Sequence, residues 1–220
     1  MRIELPSGTS AEIARPDGPP QGGLVVAPDI WGLRPLFDDL VARLAAEQQW
    51  VVVAPEPFPG PDLGDDIDRR FEAVAKLEDH RVLGDLVAAA ELTGADRVGL
   101  IGFCLGGMYS LKAASLGRFS RVVAFYGMIR VPLAWRSAGQ GEPLDLLAGA
   151  PASSSPLMAV IGELDPYTPP EDVAALEAAG VPTARYPKAD HAFVHDPARP
   201  SHRPDDAADA WRRALTFLRS

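Results

Sequence analysis

The sequence predicts a three-layer α/β domain in which a mostly parallel β-sheet carries helices on both faces. Short, almost continuous apolar blocks follow one another along the chain, and amphipathic stretches lie between them. Continuous apolar blocks are typical of parallel strands covered on both faces, and alternation of strands with helices favours a parallel sheet. Because neither an internal repeat nor a linker interrupts the pattern, we expect one domain over residues 1–220.

The predicted strands are blocks rich in β-branched residues and bounded by Gly or Pro. They are residues 24–27, 51–54, 98–102, 122–126 and 157–161, followed by a short strand at 183–186. The stretches with helical spacing are residues 35–48, 71–91, 105–116, 171–179 and 205–218. Residues 131–156 are predicted to form a long excursion beside the site, and residues 192–204 a Pro-rich surface loop.

The bulk composition excludes several classes of protein. A net charge of −9, from 30 acidic and 21 basic residues, disfavours nucleic-acid binding, which normally requires a basic face. No run of about 20 apolar residues indicates a membrane span, and acids and a proline occupy the N-terminus where a signal peptide needs an apolar core. A single cysteine rules out an internal disulfide. We therefore expect a cytoplasmic monomer or homodimer that acts on a small molecule, with no membrane or nucleic-acid partner.

The most informative motif lies at residues 97–107, Arg-Val-Gly-Leu-Ile-Gly-Phe-Cys-Leu-Gly-Gly. A predicted strand leads into Gly-x-Cys-x-Gly and then a predicted helix, which is the pattern of a nucleophile elbow with Cys104 in place of serine. Glycines two residues before and after the nucleophile let the strand and helix backbones approach closely. The turn places Cys104 at a helix N-terminus, where the dipole favours a thiolate. The alternative is a buried structural cysteine in a glycine-rich turn.

An elbow needs a base and an orienting acid, which follow it along the chain. Asp165 comes just after the strand at 157–161, at the strand end where α/β sheets hold their sites, and Glu163 is its nearest competitor. Among the histidines, His191 follows the last strand and is the predicted base. His195 and His202 are predicted to be ordinary loop residues, and His80 to lie on a solvated helix face. His191 and His195 lack a third ligand at metal-binding spacing, so no metal or other cofactor is predicted.

The oxyanion hole is predicted from two backbone amides. Leu105 N–H follows the nucleophile, and Ile30 N–H lies in the loop after the strand at 24–27. This loop also brings Asp29 and Trp31 to the site. A carboxylate beside Cys104 would oppose the effect of the helix dipole on thiol ionisation. A simple packing turn with a Trp lid is the alternative for this loop.

These motifs together resemble the dienelactone hydrolase family (carboxymethylenebutenolidase-like) of the α/β-hydrolase superfamily. The matching segments are residues 25–34, 99–107, 123–127, 162–165 and 189–193. The resemblance implies Cys104 as nucleophile, His191 as base, Asp165 as orienter, and the Ile30 and Leu105 amides as oxyanion donors. It also implies that an acid at position 29 contacts the resting thiol. The substrate pocket is expected to include Asp29, Trp31, Phe103, Tyr126, Phe193 and His195.

Two positions depart from the family pattern. Asp29 stands where well-known members carry the longer Glu. His195 stands where members that hydrolyse dienelactone carry one of two arginines for the substrate carboxylate, and only Arg69 or Arg70 is a candidate for the other. Histidine lacks the bidentate geometry of arginine, although Arg199 and Arg203 in the following loop could compensate.

The predicted function is hydrolysis of an ester or lactone through a Cys-His-Asp triad and a covalent acyl-enzyme. Specificity resides in loops, so hydrolysis of another carboxylic ester or a thioester stays open. A non-catalytic protein of the same fold, with Cys104 as a thiol sensor, is the alternative from another functional class.

Overall fold

A computed structural model describes residues 1–60 and 62–220, and within these residues the sheet has eight strands. Their order is β1-β2-β4-β3-β5-β6-β7-β8. The β1–β2 and β2–β4 pairs are antiparallel, whereas all pairs from β4–β3 onward are parallel. The strands are β1 Arg2–Glu4, β2 Ser10–Ala14, β3 Gly22–Ala27, β4 Trp50–Pro55, β5 Val98–Phe103, β6 Arg121–Phe125, β7 Leu157–Gly162 and β8 Thr183–Tyr186.

Helices cover both faces of this sheet. On central strand β5 a Cβ at Gly99 would meet Leu218 of the C-terminal helix, whereas one at Gly102 would meet Ser110 of the helix after β5. Residues three apart on a strand point to opposite faces, so the two helices lie on opposite sides, and the predicted three-layer α/β class is confirmed. The helices are α1 Pro35–Gln48, α2 Ile67–Val74, α3 Asp79–Leu92, α4 Leu105–Ala114, α5 Pro143–Ala148, α6 Pro170–Ala178 and α7 Pro204–Arg219.

The structure differs from the predicted elements in three places. Strands β1 and β2 were not predicted, because β2 is short and its buried face includes Glu12, which pairs with the terminal amine. The single helix predicted over 71–91 is two helices, because Glu78 has extended backbone and the Asp79 N–H donates to the Gly139 carbonyl over 2.8 Å instead of continuing α2. The excursion at 131–156 contains a 3-10 turn, Leu133–Trp135, and helix α5.

No helix among the residues that the structure describes is long and apolar enough to cross a bilayer. The cytoplasmic location and the oligomeric state stay predictions.

Candidate active site

Cys104 occupies a tight turn between β5 and α4. Its φ of 55° lies in the left-handed region, and its N–H donates to the Phe125 carbonyl of β6 over 3.1 Å. A Cβ at Gly102 would lie 2.1 Å from the Gly106 carbonyl, and one at Gly106 2.1 Å from the Ala27 carbonyl. Both positions therefore require glycine. The turn sets the cysteine side chain at the N-terminus of α4, where unpaired N–H groups and the helix dipole favour a negative charge.

His191 and Asp165 meet because the loops after β7 and β8 are tied together. Leu164 N–H donates to the Ala189 carbonyl over 2.9 Å. His191 Nδ1 then donates to Asp165 Oδ2 over 2.8 Å, and Asp165 Oδ1 accepts from Tyr167 N–H over 2.8 Å. The competing acid, Glu163, is exposed and instead binds Arg185. Of the two carboxylates considered from the sequence, Asp165 is the one that contacts His191.

The imidazole of His191 is held in place by two aromatic rings. Tyr167 packs edge-on with its centroid 4.9 Å away, and Tyr126 does the same at 5.3 Å. Burial alone would lower the pKa of His191. The negative charge of Cys104 and the hydrogen bond to Asp165 outweigh burial and raise that pKa from 6.5 to about 10. The geometry therefore favours the imidazolium form of His191.

The two backbone amides predicted to form the oxyanion hole lack an acceptor among the described residues. They are the N–H groups of Ile30 and Leu105, the latter because it is the first residue of α4. The neighbouring carbonyl of Ile30 accepts from Arg70 Nη1 over 3.0 Å, and Arg70 also donates twice to the Gly64 carbonyl. The buried Arg70 thus fixes the loop that carries Ile30. The sequence alone indicates Arg70 only as a candidate substrate ligand, and no local pattern indicates this bracing role.

Cys104 and His191 line one cleft of about 380 Å³. Its walls are mainly apolar and aromatic, and one side is formed by Phe71 of α2, whose ring packs at a tilt against Trp135 of the excursion with centroids 5.7 Å apart. Of the expected pocket residues, Asp29 and Trp31 line the cleft. Phe103, Tyr126, Phe193 and His195 lie buried behind its wall instead. Lining residues that sequence reasoning missed are Ile67, Phe71, Met128, Trp135, Pro166, Tyr167, Asp190 and Ala192.

Asp29 reaches the cleft, but its carboxylate is bound to protein groups. Oδ1 accepts from Trp31 N–H over 2.9 Å and from Arg34 Nη1 over 2.7 Å. Oδ2 accepts from Arg34 Nη2 and from His195 Nε2, each over 2.9 Å. Burial alone would raise the pKa of Asp29, but the bonds to His195 and Arg34 hold it well below its ordinary value. Asp29 is therefore a buried, charge-balanced group.

The arginines considered from the sequence have different surroundings. Arg69 is mainly exposed and pairs with Asp66, whereas Arg70 braces the Ile30 loop. Arg203 binds Asp206 in the first turn of α7. Only Arg199 lines the cleft, and among the described residues its guanidinium makes no hydrogen bond, with Asp196 3.7 Å away. Arg199 is thus the cationic group available to a bound molecule.

The sheet is mostly parallel, and a glycine-flanked elbow stands at the end of its central strand β5. An Asp–His pair lies in the loops beyond that elbow. These features together define an α/β-hydrolase. The family model of the dienelactone hydrolase family matches residues 9–220, so the chain belongs to this family. It is an enzyme, a dienelactone hydrolase-like hydrolase of esters or lactones.

Individual relatives agree with this assignment over most of their length. Carboxymethylenebutenolidase of Rhodococcus opacus is 29% identical over 213 residues, covering 89% of this chain and 79% of the relative. A Bradyrhizobium protein named "Probable 2-oxo-3-(5-oxofuran-2-ylidene)propanoate lactonase" is 29% identical over 210 residues, covering 89% and 82%. The crystal structure of a Klebsiella pneumoniae protein assigned to the dienelactone hydrolases superposes with a TM-score of 0.87 at 28% identity, covering 100% of this chain and 98% of the other.

Proposed function

We propose that this enzyme cleaves its ester or lactone through a covalent acyl-enzyme on Cys104, with His191 as general acid and base and Asp165 as the orienting acid. We further propose that residues 1–220 act as one domain. The observation that carries the proposal is the shared cleft: Cys104 at a helix N-terminus and the Asp165-bound His191 line the same cavity. Nucleophile, base and orienter in this relation generate a reactive thiolate without a cofactor.

In the first half-reaction the Cys104 thiolate attacks the carbonyl carbon of the substrate and forms a C–S bond. The carbonyl oxygen takes the electron pair and becomes an oxyanion, which accepts hydrogen bonds from the Ile30 and Leu105 amides. As the carbonyl re-forms, the C–O bond to the leaving oxygen breaks. That oxygen receives a proton from His191 Nε2, and the raised pKa of His191 supports this role because the imidazolium persists at neutral pH.

The second half-reaction releases the acid. Now neutral, His191 removes a proton from a water molecule, whose oxygen attacks the thioester carbon. The C–S bond breaks, and Cys104 leaves as a thiolate beside the re-formed imidazolium. Asp165 holds the imidazole in the tautomer that both steps need, since its carboxylate can only accept from Nδ1. The net reaction adds one water molecule across one ester bond.

The cleft supports a small, flat, largely apolar substrate. Trp31, Phe71, Trp135 and Tyr167 offer aromatic surfaces suited to an unsaturated acyl group or a lactone ring. Arg199 is the group proposed to receive a carboxylate where the substrate carries one, because no other lysine or arginine is among the cleft's described lining residues. It thereby takes the place of the family arginine that His195 replaces.

The test is steady-state hydrolysis of an aryl acetate and of a small unsaturated lactone by the wild type and Cys104→Ala. Loss of a nucleophile normally costs several orders of magnitude, so we expect Cys104→Ala to retain less than about 1% of the wild-type turnover. Greater retention with either substrate would overturn the proposal. If the wild type hydrolysed no ester while peroxide gave a reversible sulfenic acid on Cys104, the thiol-sensor alternative would replace it.

A further inference from the structure

Arg70 is a buried cation beside the cleft whose hydrogen bonds all go to backbone carbonyls. It is 7% exposed. Nη1 donates to the Ile30 carbonyl over 3.0 Å, and Nε and Nη2 donate to the Gly64 carbonyl over 3.0 Å and 2.8 Å. Among the described residues the guanidinium bonds to no carboxylate. Because a buried charge is costly and is normally offset by an opposite charge, stability alone gives no reason for this arrangement.

The peptide unit between Ile30 and Trp31 is held at both of its polar ends. Its carbonyl accepts from Arg70, and its N–H donates to Asp29 Oδ1 over 2.9 Å. The side chain of Ile30 is buried as well. Because a peptide unit is planar, the preceding unit, which carries the Ile30 N–H, can then turn only about the N–Cα bond of Ile30. Fixing the carbonyl of Ile30 therefore also fixes the position of its amide nitrogen.

The far end of the same loop is held without Arg70. Glu56, directly after β4, accepts from Leu33 N–H over 2.7 Å and from Phe58 N–H over 3.0 Å. Gly32 has a φ of 69°, and a Cβ there would collide with the Glu56 carboxylate. The loop is thus seated closely on Glu56 at Gly32 and Leu33. Arg70 restricts the part of the loop that carries the proposed oxyanion donor.

Arg70 also joins this loop to the wall of the cleft. It lies on α2 next to Phe71, whose ring packs against Trp135 in that wall. Its guanidinium lies over the ring of Trp31, 5.4 Å from the centroid, which is a cation–π contact. One side chain therefore connects the oxyanion loop with two aromatic surfaces of the cleft.

We propose that Arg70 is a positioning residue for the oxyanion hole, which holds the Ile30 N–H toward the carbonyl oxygen of the substrate. The inference rests on the proposed reaction at Cys104. A substrate that packs against Trp31 and Phe71 then meets an amide that is already aimed at its carbonyl oxygen. Such a donor needs no reorganisation as negative charge develops, which is the condition under which oxyanion donors stabilise a transition state most.

The test compares hydrolysis of an aryl acetate with alkylation of Cys104 by iodoacetamide in the full chain. Hydrolysis forms an oxyanion in both half-reactions, whereas alkylation forms a C–S bond and releases iodide without one. Arg70→Met should lower kcat by about 10- to 100-fold, approaching the loss of one oxyanion donor. KM should stay within about threefold, because the interaction acts in the transition state. The alkylation rate should stay within about twofold, whereas a displaced elbow or a closed cleft would slow it.

A trifluoromethyl ketone gives a second readout. The Cys104 thiolate adds to its carbonyl carbon, and the carbonyl oxygen becomes a stable oxyanion in the same hole. As an analogue of the transition state, it should bind Arg70→Met more weakly by about the factor lost in kcat. Arg69→Gln is the matched control, since Arg69 is the exposed neighbour on α2, and it should keep the wild-type kcat within about twofold.

A kcat of Arg70→Met within twofold of the wild type, or equal losses in hydrolysis and alkylation, would overturn the proposal. If Arg70→Met does not fold, Arg70→Lys replaces it. Lysine keeps the charge and the stem but not the planar fork, so kcat should fall by at least about fivefold. Cys104→Ala separates the two possible failures. Hydrolysis by that variant would refute the proposed nucleophile, whereas an inactive Cys104→Ala beside a fully active Arg70→Met would refute only the role of Arg70.

Discussion

His191 Nδ1 donates to Asp165 Oδ2 over 2.8 Å, and the side chain of Asp165 is fully shielded from solvent. The two residues come from the loops after different strands and lie 26 positions apart. A buried carboxylate holds its imidazole partner firmly, because rotation of the imidazole would leave Oδ2 of Asp165 without a hydrogen-bond donor while Oδ1 stays bound to Tyr167 N–H. The orientation of His191 toward the cleft depends on this bond.

Replacing Asp165 with Asn should therefore reduce kcat by about 10²- to 10⁴-fold, because the amide permits the wrong imidazole tautomer. Glu163→Gln is the matched control, since Glu163 is a nearby exposed carboxylate that binds Arg185. The control should retain wild-type kcat within about twofold, as surface changes away from the site usually do. Equal losses in both variants would count against the specific role of Asp165.

The protonation of His191 should depend on Cys104. Its pKa of about 10 arises against the effect of burial, from the charge of Cys104 and the bond to Asp165. Cys104→Ser removes that charge, so the pKa of His191 should fall well below 10, as measured by NMR titration of the imidazole resonances. An unchanged titration of His191 in Cys104→Ser would contradict the proposed ion pair.

The same pKa shift predicts how stability depends on pH. A folded-state pKa raised above 6.5 contributes stability that is fully present below pH 6.5 and is lost as the pH rises through about 10. The stability advantage of the wild type over Cys104→Ser should therefore shrink as the pH rises from about 6.5 to about 10, the interval between the unfolded and folded pKa values of His191. The measurement is urea unfolding of both proteins across that range.

Arg199 should matter only for anionic substrates. For a lactone that carries a carboxylate, Arg199→Gln should raise KM by about tenfold, the effect of losing one charge-assisted hydrogen bond. For a neutral aryl acetate, KM should stay within about twofold. Equal changes for the two substrates would show that Arg199 affects the cleft as a whole and not the substrate charge.

The elbow glycines should be intolerant of even one methyl group. In Gly106→Ala the new Cβ would lie 2.1 Å from the Ala27 carbonyl, a backbone atom that cannot swing away. We expect a loss of about 3 kcal/mol in the free energy of unfolding, toward the upper end for overpacked sites. The control is Gly84→Ala on α3, where a Cβ meets nothing within 4 Å. There the free energy of unfolding should rise by up to about 1 kcal/mol, because alanine favours a helix over glycine. Denaturant unfolding measures both, and equal stability of the two variants would contradict the packing argument.

The fold and the placement of Cys104 were predictable because their signals are local. Continuous apolar blocks indicate buried parallel strands. The spacing Gly102-x-Cys104-x-Gly106 reflects two positions where a neighbouring backbone comes so close that no side chain fits. The order of Asp165 and His191 along the chain follows from the elbow motif. The structure places Asp165 and His191 in direct contact, but their catalytic roles stay predictions.

Other features had no local signal. His195 looked like an ordinary loop residue, yet it bonds to Asp29, 166 positions away, through a contact that only the folded chain creates. No sequence pattern around Arg70 indicates that it binds the Ile30 carbonyl. The break between α2 and α3 involves a hydrogen bond from Asp79 N–H to the carbonyl of Gly139, 60 positions away, so helical periodicity alone predicted one continuous helix.

The acyl-enzyme on Cys104 is tested most directly by the mass of the protein when hydrolysis of an aryl acetate is stopped by acid within the first turnovers. We expect one acetyl group per chain, located by peptide mapping on Cys104, which disappears as the substrate is exhausted and is absent in Cys104→Ala. Turnover by the wild type with an acetyl group on another residue, or hydrolysis by Cys104→Ala at the wild-type rate, would contradict it.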